Sequence, residues 1–264
     1  MSWARKAIRG VLLDLSGVLF DGDVVIEGSI DAVARLSAAG VPVRFCSNET
    51  SIPHQAVVDK LNKLGFSVRA EQVFTPGPCV RKVLIERGLR PFLLVTKEAE
   101  AEYSSVQQTE PLNCVVLSDA QDAFHYQNLN KALKVLIECD KPTLIALGRG
   151  KYYREKGELN LDVGAFAKVL EYASGVKAEV IGKPEPTYFN AALDDMKVAA
   201  EDALMIGDDL ENDVGGAQAV GIRGVQVRTG KFMPRDEQNP NVTADGRVAN
   251  LAEAVDVILA QWTS

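Results

Sequence analysis

Four short pieces of the chain carry residue types suited to handling a phosphoryl group: Asp14-Leu15-Ser16-Gly17, Ser47-Asn48, Gly182-Lys183-Pro184, and Gly207-Asp208-Asp209 with Asp213 beyond. A carboxylate such as Asp14 can act as the nucleophile of covalent catalysis. The hydroxyl, amide and backbone N–H groups of Ser47-Asn48 are donors for phosphate oxygens. The ammonium of Lys183 would neutralise phosphate charge. Asp208, Asp209 and Asp213 repel one another unless a cation lies among them. Hard oxygen donors with positions left open for substrate suit magnesium.

Each piece alone has a plainer reading. Asp14 could begin a turn with Ser16-Gly17, Ser47 could cap a helix, Lys183 could be an ordinary surface lysine, and 207–213 a solvated acidic turn. Their shared setting favours chemistry. Each follows an apolar run: Val11-Leu12-Leu13, Val43-Arg44-Phe45-Cys46, Val180-Ile181 or Leu204-Met205-Ile206. Runs of that kind read as strands buried in a parallel sheet, and open α/β sheets bind ligands outside the carboxyl ends of their strands.

The positioning elements follow from the same alternation of apolar runs with amphipathic stretches. Strands are predicted at residues 10–15, 41–46, 92–95, 114–117, 143–147, 179–181, 203–206 and 224–227. Helices are predicted at residues 53–64, 80–87, 126–138, 164–173, 186–196, 213–219 and 251–261. The fold class is α/β, a Rossmann-like core with parallel sheet. Two motif pieces lie before residue 50 and two after residue 180, so an insertion separates them. The chain divides into a first core part at 1–77, an inserted α/β unit at 78–177 and a second core part at 178–264. Pro76-Gly77-Pro78 and Gly175-Val176-Lys177 are the predicted hinges.

The 264 residues suffice for a core domain plus a smaller inserted one. A net charge of -7 with both signs spread along the chain argues against a basic groove for nucleic acid. Cys46, Cys79, Cys114 and Cys139 are far apart and form no C-x-x-C pair, so they read as reduced thiols. The basic start, 1–9, precedes an apolar run too short for a signal peptide or a membrane span, which leaves the cytoplasm as the expected compartment and no membrane partner. Gly148-Arg149-Gly150-Lys151 lacks the Walker spacing and reads as a turn, and His54 and His125 read as structural or surface residues.

In order, spacing and strand context the four pieces resemble the motifs of the haloacid dehalogenase (HAD) superfamily of phosphotransferases, and the long insertion resembles its C2-type cap. That resemblance implies Asp14 as the nucleophile that forms an aspartyl-phosphate. It implies Asp14, the backbone carbonyl of Ser16 and Asp208 as ligands of Mg2+, with Asp209 and Asp213 in support. It assigns phosphate binding to Asp14, Leu15, Ser16, Ser47, Asn48 and Lys183. On Gly28-Ser29-Ile30, Tyr152-Tyr153, Arg228-Thr229-Gly230-Lys231-Phe232 and the tail Asn250-Leu251-Ala252-Glu253, the resemblance narrows to phosphatases of phosphorus–nitrogen bonds and pyrophosphate. A homodimer in cytoplasm and nucleus is implied in the same way. The cap would close over the site, with Lys151, Tyr152, Tyr153, Arg154 and Asp162 facing the substrate.

One position departs from the superfamily. Most of its phosphatases carry Asp where this chain has Ser16, and that Asp protonates the leaving group and then activates water. A serine hydroxyl does not ionise readily near neutral pH, so acid–base assistance of about a hundredfold to ten-thousandfold is reduced. The loss matters least when the leaving group needs little help. Imidazole, with a pKa of about 6.5, leaves phosphohistidine more easily than an alkoxide leaves a sugar phosphate. Pyrophosphate, imidodiphosphate and phospholysine complete the expected substrates, the lysine nitrogen leaving protonated. The alternatives are a phosphomonoesterase for a small metabolite and a phosphate-binding scaffold with weak turnover.

Overall fold

The structure, a computed structural model, describes every residue except Met1, Arg5, Lys156, Gly157, Thr263 and Ser264. In chain order it runs β1 (Gly10–Leu13), β2 (Phe20–Asp21), β3 (Val24–Val25), α1 (Ser29–Ala38), β4 (Val43–Cys46), α2 (His54–Lys63) and β5 (Val73–Phe74). Next come α3 (Pro76–Glu86), β6 (Pro91–Leu94), β7 (Cys114–Leu117), α4 (Tyr126–Glu138), β8 (Thr143–Ala146), β9 (Tyr152–Glu155), β10 (Glu158–Leu161), α5 (Val163–Ser174) and β11 (Ala178–Val180). The chain ends with α6 (Pro186–Met196), β12 (Ala203–Gly207), a π-helical turn Leu210–Gly215 running into α7 (Gly216–Gln218), β13 (Arg223–Val227), β14 (Gly246–Val248) and α8 (Leu251–Leu259).

These elements form two units, one of Met1–Ser47, Val58–Phe74 and Lys183–Ser264, the other of Asn48–Val57 and Thr75–Gly182. The first is built on a parallel sheet of order β14-β13-β12-β1-β4-β5. β1 is buried at all four residues, because the chain covers both faces of a parallel sheet with helices. One face packs against α6, whose Tyr188, Phe189, Ala192, Leu193 and Met196 are buried with Leu12, Cys46 and Met205. From β1 the chain moves to β4 and β5 on one side and returns to β12, β13 and β14 on the other, so the strand order reverses beside β1. Ligand crevices form at such a reversal.

The second unit has its own parallel sheet, β11-β8-β7-β6, with the hairpin β9–β10 beside it in sequence. Its core joins Leu94, Val115, Leu117 and Ala146 to Ala132 and Leu136 of α4 and Ala167 and Leu170 of α5. The segment Asn48–Val57 is tied into this unit by polar contacts: the Asp119 N–H donates to Thr50 Oγ1 at 3.0 Å, and the His54 N–H to Glu102 Oε2 at 3.0 Å.

Three expectations about the chain's course change. Pro76-Gly77-Pro78 is the first turn of α3, where the fixed φ of Pro76 suits the opening position, and not a hinge loop. Gly175 is the left-handed C-cap of α5, with φ +75°, and the unit continues through β11 because Ala178–Val180 pairs with β8. The expected helix at 213–219 starts earlier, at Leu210, since the Asp209 side chain accepts from the N–H groups of Glu211 and Asn212 and caps the turn there. α1, β5, the β2–β3 and β9–β10 hairpins and β14 were not expected from the sequence.

Candidate active site

The site lies at the carboxyl edge of the first unit's sheet. Register pairs Leu13 with Ile206 on one side and with Phe45 on the other, so the residues just beyond these three meet. Asp14 follows β1 and is buried, its N–H donating to the Ile206 carbonyl at 2.9 Å. Ser47 follows β4, also buried, and its N–H donates to the Phe74 carbonyl at 2.9 Å. Tyr188, which the sequence did not single out, fixes this corner: its hydroxyl lies 2.9 Å from the Ser47 carbonyl and 2.6 Å from the Phe74 carbonyl and shares its one proton between them.

Lys183 is the cation of the site. It is 3% exposed, and its Nζ reaches Asp14 Oδ1 at 2.5 Å and Asp213 Oδ1 at 2.6 Å. Burial works against its charge, but Asp14 and Asp213 outweigh burial and push its pKa above the ordinary lysine range. It therefore stays an ammonium. Asp213 Oδ2 also accepts from the Asp209 N–H at 3.1 Å. Burial, and then the Asp14 charge, push the Asp213 carboxyl up to about 7 despite Lys183. Asp208 is raised well above the usual carboxylate range by burial and by Asp14 and Asp213, with Lys231 opposing.

Asp208 is held in a narrow cradle. Its Oδ2 accepts from the Lys231 N–H at 2.6 Å, between the backbones of Gly17 and Gly230. A Cβ on Gly17 would stand 2.0 Å from that oxygen, and one on Gly230 2.1 Å from it; both residues also have positive φ, +84° and +61°. Thr229 Oγ1 donates to the Gly17 carbonyl and closes the turn from the other side. Gly17→Ala is therefore expected to displace Asp208 and to cost about 2 kcal/mol or more in strain and clash. Urea denaturation checks this, and an unchanged midpoint would contradict it.

Asp14, Asp208 and Asp213 offer carboxylate oxygens that all lie within 4.8 Å of one another. Three buried carboxylates face one buried ammonium, and such an excess of like charge out of water is costly without a further cation. Asp14 gives Oδ1 to Lys183 and Asp208 gives Oδ2 to Lys231, leaving the second oxygen of each as a candidate ligand. The donor set is hard, anionic and oxygen-only, and so fits a metal ion of the magnesium type.

Leu15 is buried, its carbonyl accepting from the Leu19 N–H at 2.8 Å, and Ser16 is exposed at the tip of that turn. Asp209 spends its carboxylate on the cap described above, on Asn212 Nδ2 at 2.8 Å and on Lys231 Nζ at 3.4 Å. Asn48 belongs to the second unit, where its side chain lies beside Gly148 and Gly182. In that unit Tyr152 is exposed, Asp162 Oδ1 accepts from the Val163 N–H at 2.7 Å and caps α5, and the Arg154 side chain lies outside the described residues. Gly150 packs against α5, its carbonyl accepting from the Gly164 N–H at 3.0 Å, in keeping with a turn and not a phosphate loop. His125 Nδ1 accepts from the Asn128 N–H at the start of α4. Burial raises the Cys46 thiol to about 12, so at neutral pH it offers no thiolate.

Comparison with known proteins gives the chain's family. A haloacid dehalogenase-like hydrolase family model matches residues 11–108, and a HAD-hydrolase-like model matches residues 180–254. The chain is 51% identical to the phospholysine phosphohistidine inorganic pyrophosphate phosphatase of Xenopus laevis, covering 98% of this chain and 97% of the relative. It is 50% identical to the Homo sapiens protein of that name, with 97% of each covered. Among solved structures, the 4-nitrophenylphosphatase of Thermotoga maritima superposes with a TM-score of 0.87 at 27% identity, over 95% of this chain and 97% of that one.

Proposed function

We propose that this chain, which belongs to the haloacid dehalogenase-like hydrolases, is a magnesium-dependent phosphatase for phosphorus–nitrogen bonds and for pyrophosphate. Phosphohistidine, phospholysine and inorganic pyrophosphate are its substrates, in line with the names of the relatives, and imidodiphosphate joins them as a further phosphorus–nitrogen bond. The observation that carries the reading is the buried bridge of Lys183 between Asp14 and Asp213, with Asp208 beside them and Ser16 two residues after Asp14.

Asp14 attacks phosphorus through a carboxylate oxygen. The bond to the imidazole, amine or phosphate leaving group breaks, the nitrogen of phospholysine leaving with a proton the substrate already carries, and an aspartyl-phosphate forms on Asp14. Water then attacks that phosphorus, giving inorganic phosphate and returning the carboxylate. Lys183 holds Asp14 in place and offsets charge on the phosphoryl oxygens, and Ser47 supplies a further donor. Asp14, Asp208 and the carbonyl of Ser16 would hold the magnesium ion, with Asp213 in support. A bound magnesium ion would supply charge neutralisation for the nucleophile and the phosphoryl oxygens. Ser16 leaves this arrangement intact but supplies no carboxylic acid for the leaving group.

A panel of phosphohistidine, imidodiphosphate, pyrophosphate and an alkyl phosphate, assayed with magnesium removed and restored, tests the reading. Turnover is expected only with magnesium, and far faster on the first three. Ser16→Asp should raise the rate on the alkyl phosphate by about a hundredfold, the lower range of general acid–base assistance. Equal or better wild-type rates on the alkyl phosphate would replace the reading with a phosphomonoesterase. No magnesium-dependent turnover on any substrate would replace it with a phosphate-binding scaffold. The rest of the proposal is a homodimer resident in cytoplasm and nucleus. A monomeric mass by light scattering would remove the first part, and absence from both fractions of the source cell the second.

A further inference from the structure

Gln226 lies on β13 and is fully buried, at the register position of Gly207 on β12. A primary amide has two donors and an acceptor, and burying it without partners is costly. Three hydrogen bonds tie it to Asp208, Asp236 and Arg247. Nε2 donates to the main-chain carbonyl of Asp208 at 3.2 Å and to Asp236 Oδ2 at 3.2 Å, and Oε1 accepts from Arg247 Nε at 3.2 Å. Asp236 Oδ2 also accepts from the Met233 N–H at 2.9 Å, and its main-chain carbonyl from Arg247 at 3.1 Å.

These bonds close a loop around a candidate metal ligand. The segment 228–238 leaves β13, passes Thr229 and Gly230 against Gly17, gives its Lys231 N–H to Asp208 Oδ2, and returns to Gln226 through Asp236. Asp208 is thus gripped at its carboxylate by this strap and at its main-chain carbonyl by Gln226, while the same amide anchors the far end of the strap. We propose that Gln226, with Asp236 as its latch, is a positioning residue that sets metal affinity at Asp208. The inference rests on the magnesium reading given above. Partners of this kind, one bond removed from a ligand, are worth about 10- to 100-fold in metal affinity when lost.

Manganese serves as the probe, its free ion counted by electron paramagnetic resonance while the purified full chain is titrated without substrate. The wild type is expected to bind Mn2+ at one site. Gln226→Met, which keeps the volume and removes the three bonds, and Asp236→Ala, which frees the strap from a half-buried turn, should each weaken binding about 10- to 100-fold. Asp236→Asn, which keeps an acceptor for Met233, should restore most of it. The metal concentration for half-maximal turnover should rise in the same proportion, with a much smaller loss of kcat at saturating metal. If Gln226→Met fails to fold, the Asp236 pair decides. Equal affinity in wild type and Asp236→Ala would overturn the inference and leave the metal reading standing. No Mn2+ binding by the wild type would overturn the metal reading itself, and the inference with it.

Discussion

Asp14→Asn should abolish turnover, by on the order of ten-thousandfold or more, while the protein stays folded. Removing a covalent nucleophile takes away the step on which the others depend, so the loss should be close to complete. Asparagine has the shape of aspartate and keeps an oxygen for Lys183, which at present holds Asp14 at 2.5 Å. The substitution also removes one of three crowded buried carboxylates, so stability should not suffer. Steady-state assay on imidodiphosphate, with circular dichroism as the folding control, measures both. Retention of a tenth of wild-type activity would exclude Asp14 as the nucleophile.

Lys183→Met should damage stability and catalysis together. The lysine is the buried partner of both Asp14 and Asp213, and breaking a buried ion pair by removing one member costs about 3–5 kcal/mol, because the remaining charge is left out of water. In this chain two carboxylates lose their partner at once, and Asp208 adds to the repulsion. Turnover should fall by about a hundredfold to a thousandfold through the lost stabilisation of charge at the phosphoryl group. Urea denaturation in EDTA and in magnesium separates the causes: the variant should be less stable in both, with magnesium restoring part of the difference. An unchanged midpoint in EDTA would contradict the assignment of Lys183 as the charge that holds the cluster together.

The parts of the fold that could be read from the chain are those where local signals agree. β7 at Cys114–Leu117, α4 at Tyr126–Glu138 and α6 at Pro186–Met196 match their expected bounds, the first an unbroken apolar run, the others a helical stripe. α1 escaped because its buried stripe is narrow, Ala32, Val33 and Leu36, set among small and charged residues. β5 has two residues and β10 is mostly exposed, so neither shows the burial pattern on which strand reading depends. The crossing between the units escaped for a similar reason: Gly175 looks like a break, yet the strand after it is fixed by pairing with β8, a long-range fact.

Within the site, Asp14, Ser47 and Asp208 were legible because each stands just past a strand of the first sheet, Lys183 because it follows the apolar run that forms β11 of the other sheet, and Asp213 because it lies in the acidic run after β12. The roles of Tyr188, Gly230, Lys231 and Gln226 were not. Their contributions arise from what they face in space: a tyrosine under two carbonyls, an N–H against a carboxylate 23 residues away in sequence, and a buried amide in the middle of a strand. Nothing in local spacing announces such roles. Asp209 shows the converse, since the acidic cluster at 208–213 suggested support for a metal and the carboxylate is engaged in capping the following turn.

In the proposed mechanism Asp14 carries the phosphoryl group and Ser16 shapes which bonds are broken. With no carboxylate at position 16 to activate water, the second step should be the slower one on substrates with good leaving groups, so phosphate should accumulate on the protein. Rapid acid quench of the enzyme turning over 32P-labelled pyrophosphate, followed by borohydride reduction and mass spectrometry of the peptide containing residue 14, measures this directly. The expected result is a burst of protein-bound label and conversion of Asp14 to homoserine. Product formation with no label on the protein and Asp14 unaltered would contradict it.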